Sequence, residues 1–320
     1  MKKIGVITSG GDAPGMNAAI RAVVRGATGR GIEVVGFVYG YQGIMEERVM
    51  PLDSKSVGGI INRGGTILRS ARSNQFREPE GRQKAIGILR KHKVEGLVVI
   101  GGDGSLTGAL KLQEEFAYPV MGIPGSIDND IAGTDFSIGF DTAVNTAVEA
   151  IDRIRDTAYS HERVFVIEVM GRKNGFIAVE SGLAAGAEAI LIPEVPYSLV
   201  EICDRLKAGA ARGKRSSIIV VAEGAARAED VHDFIEKHTG FEARYLVLGH
   251  LQRGGSPTAF DRVLSLRLGT FAVQRLVSGH SGEMVGVDGS RLVSNPLSYV
   301  LGTTPQVDPQ RLILAEVMAQ

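Results

Sequence analysis

Three glycine-rich segments in this 320-residue chain place acidic or hydroxyl side chains where an apolar run ends. The first is Ser9-Gly10-Gly11-Asp12-Ala13-Pro14-Gly15. Glycines there let backbone N–H groups approach an anion at the positive end of the following helix, although a tight strand-to-helix turn would use the same residues. The segment is neither a Walker A loop nor a G-x-G-x-x-G fingerprint. The second, Gly101-Gly102-Asp103-Gly104-Ser105, adds a carboxylate. A hard oxygen ligand beside a phosphate-sized pocket suits Mg²⁺ carried on nucleotide phosphates, while the bland role of Asp103 is to support the helix start. The third is Pro124-Gly125-Ser126-Ile127-Asp128-Asn129-Asp130. Its two carboxylates would point the same way on an extended backbone and could divide general-base and metal duties; an Asx-rich turn is the alternative.

Five arginines follow: Arg72, Arg163, Arg172, Arg244 and Arg253. Most surface arginines are merely solvated, but four of these bracket two apolar runs. Arg163 and Arg172 are nine residues apart across one run, and Arg244 and Arg253 nine apart across another. Extended, each pair spans roughly 30 Å, more than one small substrate. Ligands of α/β sheets sit at the C-terminal strand ends, where Arg172 and Arg253 fall. If all four arginines touch one substrate, Arg163 and Arg244 must come from a neighbouring chain. Glu223 ends a third run, and His250 lies close to Arg253 in sequence.

These residues need a scaffold that repeats strand, loop and helix. Near-continuous apolar runs occur at 4–8, 34–39, 97–100, 120–123, 164–170, 189–192, 218–222 and 245–248, as parallel strands covered on both faces require. After the first run, Met16, Ala19, Ile20, Val23, Val24 and Ala27 follow helical spacing, with Arg21 and Arg25 on another face. Alternation of this kind predicts a doubly wound α/β architecture, and the length suggests two domains. The 36 basic and 36 acidic residues balance, so no global field favours nucleic acid. Gly10, Gly11, Asp12 and Pro14 interrupt the first apolar run too early for a signal peptide, and no run reaches the roughly 20 residues of a membrane span. The single cysteine, Cys203, cannot form an internal bridge, so a cytoplasmic location is expected.

Taken together the segments TSGGDAPGMNAAIR, NRGGT followed by SAR, VVIGGDGS, PGSIDNDIAGTDFSIGFDTA, RIRDTAYSHER, EVMGR and LGHLQRGGSPTAFDR resemble the bacterial ATP-dependent 6-phosphofructokinase family. The resemblance implies a glycolytic kinase that phosphorylates the 1-hydroxyl of fructose 6-phosphate. It implies two Rossmann-like, three-layer domains with chain crossings: 1–139 plus 252–302 for ATP, and 140–251 plus 303–320 for the sugar phosphate. Gly11, Arg72, Ser73 and the loop Gly102, Asp103, Gly104, Ser105 would hold ATP, with Asp103 on Mg²⁺. Asp128 would be the base, and Ser126 and Arg172 would support the transferring group. Met170, Gly171, Arg172, Glu223, His250 and Arg253 would line the sugar site, with Arg163 and Arg244 on the 6-phosphate of a site shared between subunits of a homotetramer. An effector pocket for ADP or phosphoenolpyruvate would use Arg21, Arg25, Arg155, Glu188, Arg212 and Lys214.

The chain departs from that pattern in places. Ser126 stands where threonine is usual, and Ser73 where an aromatic residue is common. Ser54, Gly59 and Ser216 lack the charges often seen in the effector pocket. Pyrophosphate-dependent relatives carry aspartate and lysine at two loop positions that here are Gly104 and Gly125, so these glycines are expected to leave room for an α-phosphate and nucleoside. A lipid or NAD kinase would account for the GGDG loop alone. A non-catalytic sensor would be expected to lack Asp103 or Asp128, and both are present.

Overall fold

The run KIGVITS forms β1 (Lys3–Ser9), buried from its second residue onward, in a computed structural model that describes residues 1–318. It is followed by β2 (Glu33–Phe37), β3 (Val49–Leu52), β4 (Gly96–Gly101), β5 (Val120–Pro124) and β6 (Val164–Val169). The remaining strands are β7 (Ala189–Leu191), β8 (Ser217–Ala222), β9 (Ala243–Val247), β10 (Glu283–Asp288) and β11 (Arg291–Pro296). The chain divides into unit 1, Met1–Thr142 with Gly254–Pro305, and unit 2, Ala143–Arg253 with the described residues from Gln306 onward. Ala319 and Gln320, included in the expected 303–320 segment, lie outside the described residues.

Unit 1 holds a seven-stranded sheet in the order β11-β10-β5-β4-β1-β2-β3. Its centre is parallel, and β3 and β11 are antiparallel edges. Every residue of β4 and β5 is buried, because helices cover both faces. One such helix, Met16–Thr28, packs on Ala259–Val277 so closely that a Cβ on Gly269 would lie 2.6 Å from Ala22 Cβ. Ile7, Phe37, Leu89, Leu97 and Leu106 belong to one core cluster. Unit 2 holds a parallel four-stranded sheet, β7-β8-β6-β9, whose core includes Val166, Leu191, Ile202, Ile219 and Ile235. No described helix is long and apolar enough to cross a membrane.

Each of the eight apolar runs contains a strand, with shifted ends. The run 34–39 stops at Phe37 because Tyr39 turns left-handed (φ 76°) to start the helix Gly40–Met45. Arg244 lies inside β9 rather than before it. Three strands were not anticipated. β3 is short, half-exposed and carries Pro51, which only an edge tolerates. The β10–β11 hairpin turns at Gly289-Ser290, between the paired Asp288 and Arg291, and Gly289 has φ 56°. That Gly-Ser pair was a readable hairpin signal.

Candidate active site

In unit 1, β1 and β4 are parallel neighbours in register Ser9↔Gly101. The strand order reverses between them, with β2 and β3 on one side and β5 on the other. Loops leaving the C-terminal ends at such a switch point face a common crevice. Gly10 adopts φ 84°, and a Cβ there would come within 3.1 Å of Ser105 Oγ, so the first two glycine segments lie against each other. Ser70 donates its hydroxyl to the Gly10 carbonyl, tying in the SAR segment. Asp103 opens the helix Asp103–Phe116 with an exposed side chain, and Gly102 gives that helix no side-chain cap. Space is open where a Cβ on Gly104 would be, as the nucleotide reading requires.

A Cβ on Gly125 would lie 3.0 Å from Met16 Cε and 3.4 Å from Ile100 Cγ2, so this position is tighter than Gly104. Ser73 serves the local structure. Its hydroxyl accepts from Phe76 N–H (3.3 Å) and caps the short helix Asn74–Arg77. Arg72 is exposed just before it. Tyr41, absent from the sequence reading, is buried, stacks on Phe76 at 4.0 Å and donates its hydroxyl to Ser105 O at 2.7 Å. Burial pushes its phenol well above the ordinary range, so it remains a donor. No local pattern in the sequence announces it.

The 125–130 segment is a turn, not an extended run. Asn129 has φ 53°, its Oδ1 accepts from Ser137 N–H (2.7 Å), and its Nδ2 donates to Asp135 O (3.0 Å). Consequently Asp128 and Asp130 do not share an aim: Asp128 is 1% exposed, whereas Asp130 is half-buried. Ser126 Oγ lies between them, donating to Asp130 Oδ1 (3.2 Å) and accepting from Asp128 N–H (3.3 Å). The Asx-turn alternative is therefore the one realised, with the two carboxylates in different surroundings.

In unit 2 the residues expected to line a sugar site gather at the C-terminal edge of the sheet. Glu223, just after β8, accepts from Gly171 N–H (3.2 Å) and Arg172 N–H (2.7 Å). It thereby holds a strained corner in which Gly171 has φ 143° and Arg172 φ 54°. The 3₁₀ turn Gly249–Arg253 follows β9 and carries exposed His250 together with Arg253. Gln252, also absent from the sequence reading, is fully buried and accepts from Met170 N–H at 2.9 Å. Gln252 Nε2 and Arg253 Nε are buried donors without a hydrogen-bond partner, an arrangement that an oxygen-rich ligand would satisfy.

Arg163 and Arg244 are at the opposite edge. Arg163 precedes β6, and Arg244 pairs with Phe165 near its start. Both reach Glu242, at 2.8 Å and 2.5 Å. The Arg163 hydrogen bond, aided by both guanidinium charges, holds the Glu242 carboxyl below its ordinary range. Arg163 Nε is buried and unpaired. The length of β6 separates this pair from Arg172 by about 20 Å.

The effector candidates are divided by unit. Arg21, half-buried, and Arg25, exposed, belong to unit 1. In unit 2, Glu188, Arg212 and Lys214 line a cavity of about 230 Å³, with Lys214 Nζ 3.0 Å from Glu188 Oε1. Arg155 donates to the carbonyls of Ala185 and Gly186. Among the described residues no cluster of three or more His, Cys, Asp or Glu could hold a metal by itself.

Residues 3–276 match the family model described as Phosphofructokinase. The chain is 55% identical over 319 residues to proteins named ATP-dependent 6-phosphofructokinase from Bacillus mycoides (strain KBAB4) and Bacillus cereus (strain AH187), covering all of both chains. Among solved structures it resembles the Pichia pastoris phosphofructokinase in the T-state, with TM-score 0.89 and 37% identity. That match covers 94% of this chain and 37% of the Pichia chain. A pyrophosphate-dependent phosphofructokinase from Marinobacter aquaeolei has the same fold, with TM-score 0.86 at 24% identity over 97% of this chain and 86% of that one.

Proposed function

The chain belongs to the phosphofructokinase family, and we propose that it transfers the γ-phosphoryl group of ATP to the 1-hydroxyl of D-fructose 6-phosphate, a reading supported by full-length relatives named ATP-dependent 6-phosphofructokinase. The observation that carries this reading is the pairing of two glycine loops at the β1/β4 switch point, with the Asp128 turn following β5, the next strand.

Each residue has a role that its position supports. Gly11, Arg72 and the loop Gly102 to Ser105 receive the nucleotide, Gly104 leaving room for it. Asp103 offers one exposed carboxylate. Mg²⁺ commonly takes one or two carboxylates with the rest of its shell from phosphates and water, so the donor set fits an ion arriving with the nucleotide. Such an ion would neutralise phosphate charge. Asp128 accepts the proton of the sugar 1-hydroxyl, and Ser126 and Arg172 support the transferring group; positioning and charge stabilisation are what this reaction needs. Met170, Gly171, Glu223, His250 and Arg253 receive the sugar, with the buried Arg253 Nε–H available to an oxygen.

Arg163 and Arg244 bind the 6-phosphate of a neighbouring copy in a homotetramer. Their place at the N-terminal edge of β6 and β9 supports this, since a substrate held at the C-terminal edge of the same sheet is out of reach. Glu188, Arg212 and Lys214, with Arg155, Arg21 and Arg25, serve an ADP or phosphoenolpyruvate site, and the enzyme works in the cytoplasm.

The deciding experiment is a coupled assay with fructose 6-phosphate and Mg²⁺, comparing ATP with pyrophosphate. Turnover is expected with ATP and little with pyrophosphate, and Gly104→Asp is expected to damage ATP use by bulk and charge. Turnover with pyrophosphate alone would overturn the reading.

A further inference from the structure

Asp261 has no place in the chemistry assigned so far, yet it is a fully buried carboxylate in a network of its own. Its Oδ1 accepts from Gly139 N–H at 2.9 Å. Its Oδ2 accepts from Thr142 N–H at 2.8 Å and from the Thr142 hydroxyl at 2.5 Å. The Thr142 Oγ1 in turn accepts from Thr258 N–H at 3.1 Å, which directs the hydroxyl proton to Asp261. These donors lie at the start of the helix Phe140–His161, whose first-turn N–H groups have no partners within the helix itself. Asp261 thus caps that helix from 119 residues away.

The held segment leads to the Asp128 turn. Ile138, next to Gly139, forms a parallel bridge with Gly125. It accepts from Ser126 N–H (3.1 Å) and donates to Pro124 O (3.0 Å). Ser137 donates its hydroxyl to Ser126 O (2.5 Å) and its N–H to Asn129 Oδ1 (2.7 Å). Gly139 has φ 103°, and a Cβ there would lie 2.7 Å from Ala13 Cβ, so this stretch has little freedom to shift. Residues 137–139 therefore set the position of the turn carrying Ser126 and Asp128, and Asp261 sets the position of residues 139–142.

We propose that Asp261 is a positioning residue for phosphoryl transfer, its ionised carboxylate holding residues 137–142 and through them the Asp128 turn. The proposal rests on the assignment of Asp128 as the base.

The charge state matters because all three groups facing the carboxylate are donors. A proton on Oδ2 would oppose two of them, and one on Oδ1 would oppose the Gly139 N–H. Burial opposes the charge and pushes the carboxyl up to about 6, against the pull of these hydrogen bonds. Asp141, in the first turn of the capped helix, adds a like charge that raises it further. The Asp141 carboxylate itself accepts from the Thr258 hydroxyl at 2.6 Å. From the helix Ala259–Val277, Arg262 is directed to Pro257 O and Ser256 Oγ. Ser265 binds Gly15 O, so the Gly15 turn brings no titrating group.

The test is kcat from pH 5 to 8.5 at saturating substrates for the wild type, Asp261→Asn and Thr142→Val, with Asp128→Asn in parallel. Amide hydrogen exchange across 125–142 is followed in each. Wild-type kcat is expected to fall below an apparent pKa near 6. Asp261→Asn should lose at least tenfold in kcat at pH 8, lack that limb, and exchange faster across 125–142. Thr142→Val keeps the charge but removes one donor to it, so the limb should move to higher pH. Wild-type kcat in Asp261→Asn, or a fall in kcat with the limb unmoved, overturns the proposal. Should Asp261→Asn not fold, an unshifted limb in Thr142→Val overturns it alone. If Asp128→Asn stays active, the base assignment is what fails, while hydrogen exchange still reports whether Asp261 holds the turn.

Discussion

Asp128 and Asp130 are two residues apart, yet the fold gives them different environments. Asp128 is buried and gives its N–H to the Ser126 hydroxyl, while Asp130 is half-buried and accepts from that hydroxyl. Two carboxylates held apart in this way can take separate roles. Asp128→Asn preserves shape and removes the acceptor. Steady-state assays are expected to show kcat lower by about 10²–10⁴-fold, the usual worth of a general base, with fructose 6-phosphate binding changed much less. Near-normal kcat in this variant would move the role to another group, Asp130 first.

The β6 terminus shows how an element presents chemistry that its own residues could not hold alone. Arg172 follows a corner that requires φ 143° at Gly171, and Glu223 from the adjacent β8 accepts the two N–H groups exposed by that bend. A Cβ on Gly171 would also strike Asn174 O at 2.6 Å. Gly171→Ala is expected to cost about 1–3 kcal/mol of stability from backbone strain. It should raise KM for fructose 6-phosphate with little change for ATP, because the loops proposed to receive ATP belong to β1 and β4. Thermal unfolding and initial-rate kinetics check both, and an equal rise in the two KM values would count against a local effect. The same element carries Arg163 at its other end, where Glu242 orients it.

For the whole molecule, the consequence is that one chain offers Arg172 and Arg253 at one edge of the unit 2 sheet, with Arg163 and Arg244 at the other. If all four serve one substrate, active sites are completed between copies. Asp128→Asn and Arg163→Ala homo-oligomers should each be nearly inactive with fructose 6-phosphate. Dissociated and reassociated together, they should regain activity, since some sites then combine wild-type Asp128 from one copy with wild-type Arg163 from another. Hybrids that form, as judged by native electrophoresis of a charge-tagged variant, and yet stay inactive would sink the shared-site reading.

Much of this was legible from the chain alone. Apolar runs located eight strands because burial on both faces leaves a continuous local trace, and glycines marked the loops because few other residues turn there. The Gly10, Gly102 and Asp128 segments were therefore readable as a candidate site before any fold was known. The strands β3, β10 and β11 were not: β3 and β11 are half-exposed edges, with Pro51 in β3, and Gly286 interrupts the apolar run of β10. Local sequence also left open whether Asp-Asn-Asp was extended or a turn; the bonds of Asn129 to Asp135 and Ser137 decided it. It treated Gly104 and Gly125 alike, although the missing Cβ leaves open space at Gly104 and lies close to Met16 at Gly125. Tyr41, Gln252 and Asp261 were invisible for one shared reason. Each supports the site through a hydrogen bond spanning 64, 82 or more residues of chain, and a partner at that separation leaves no periodicity or spacing to read. Residue type and local order determined what chemistry was available. Only the tertiary pairing of distant segments decided which groups meet and which are held still.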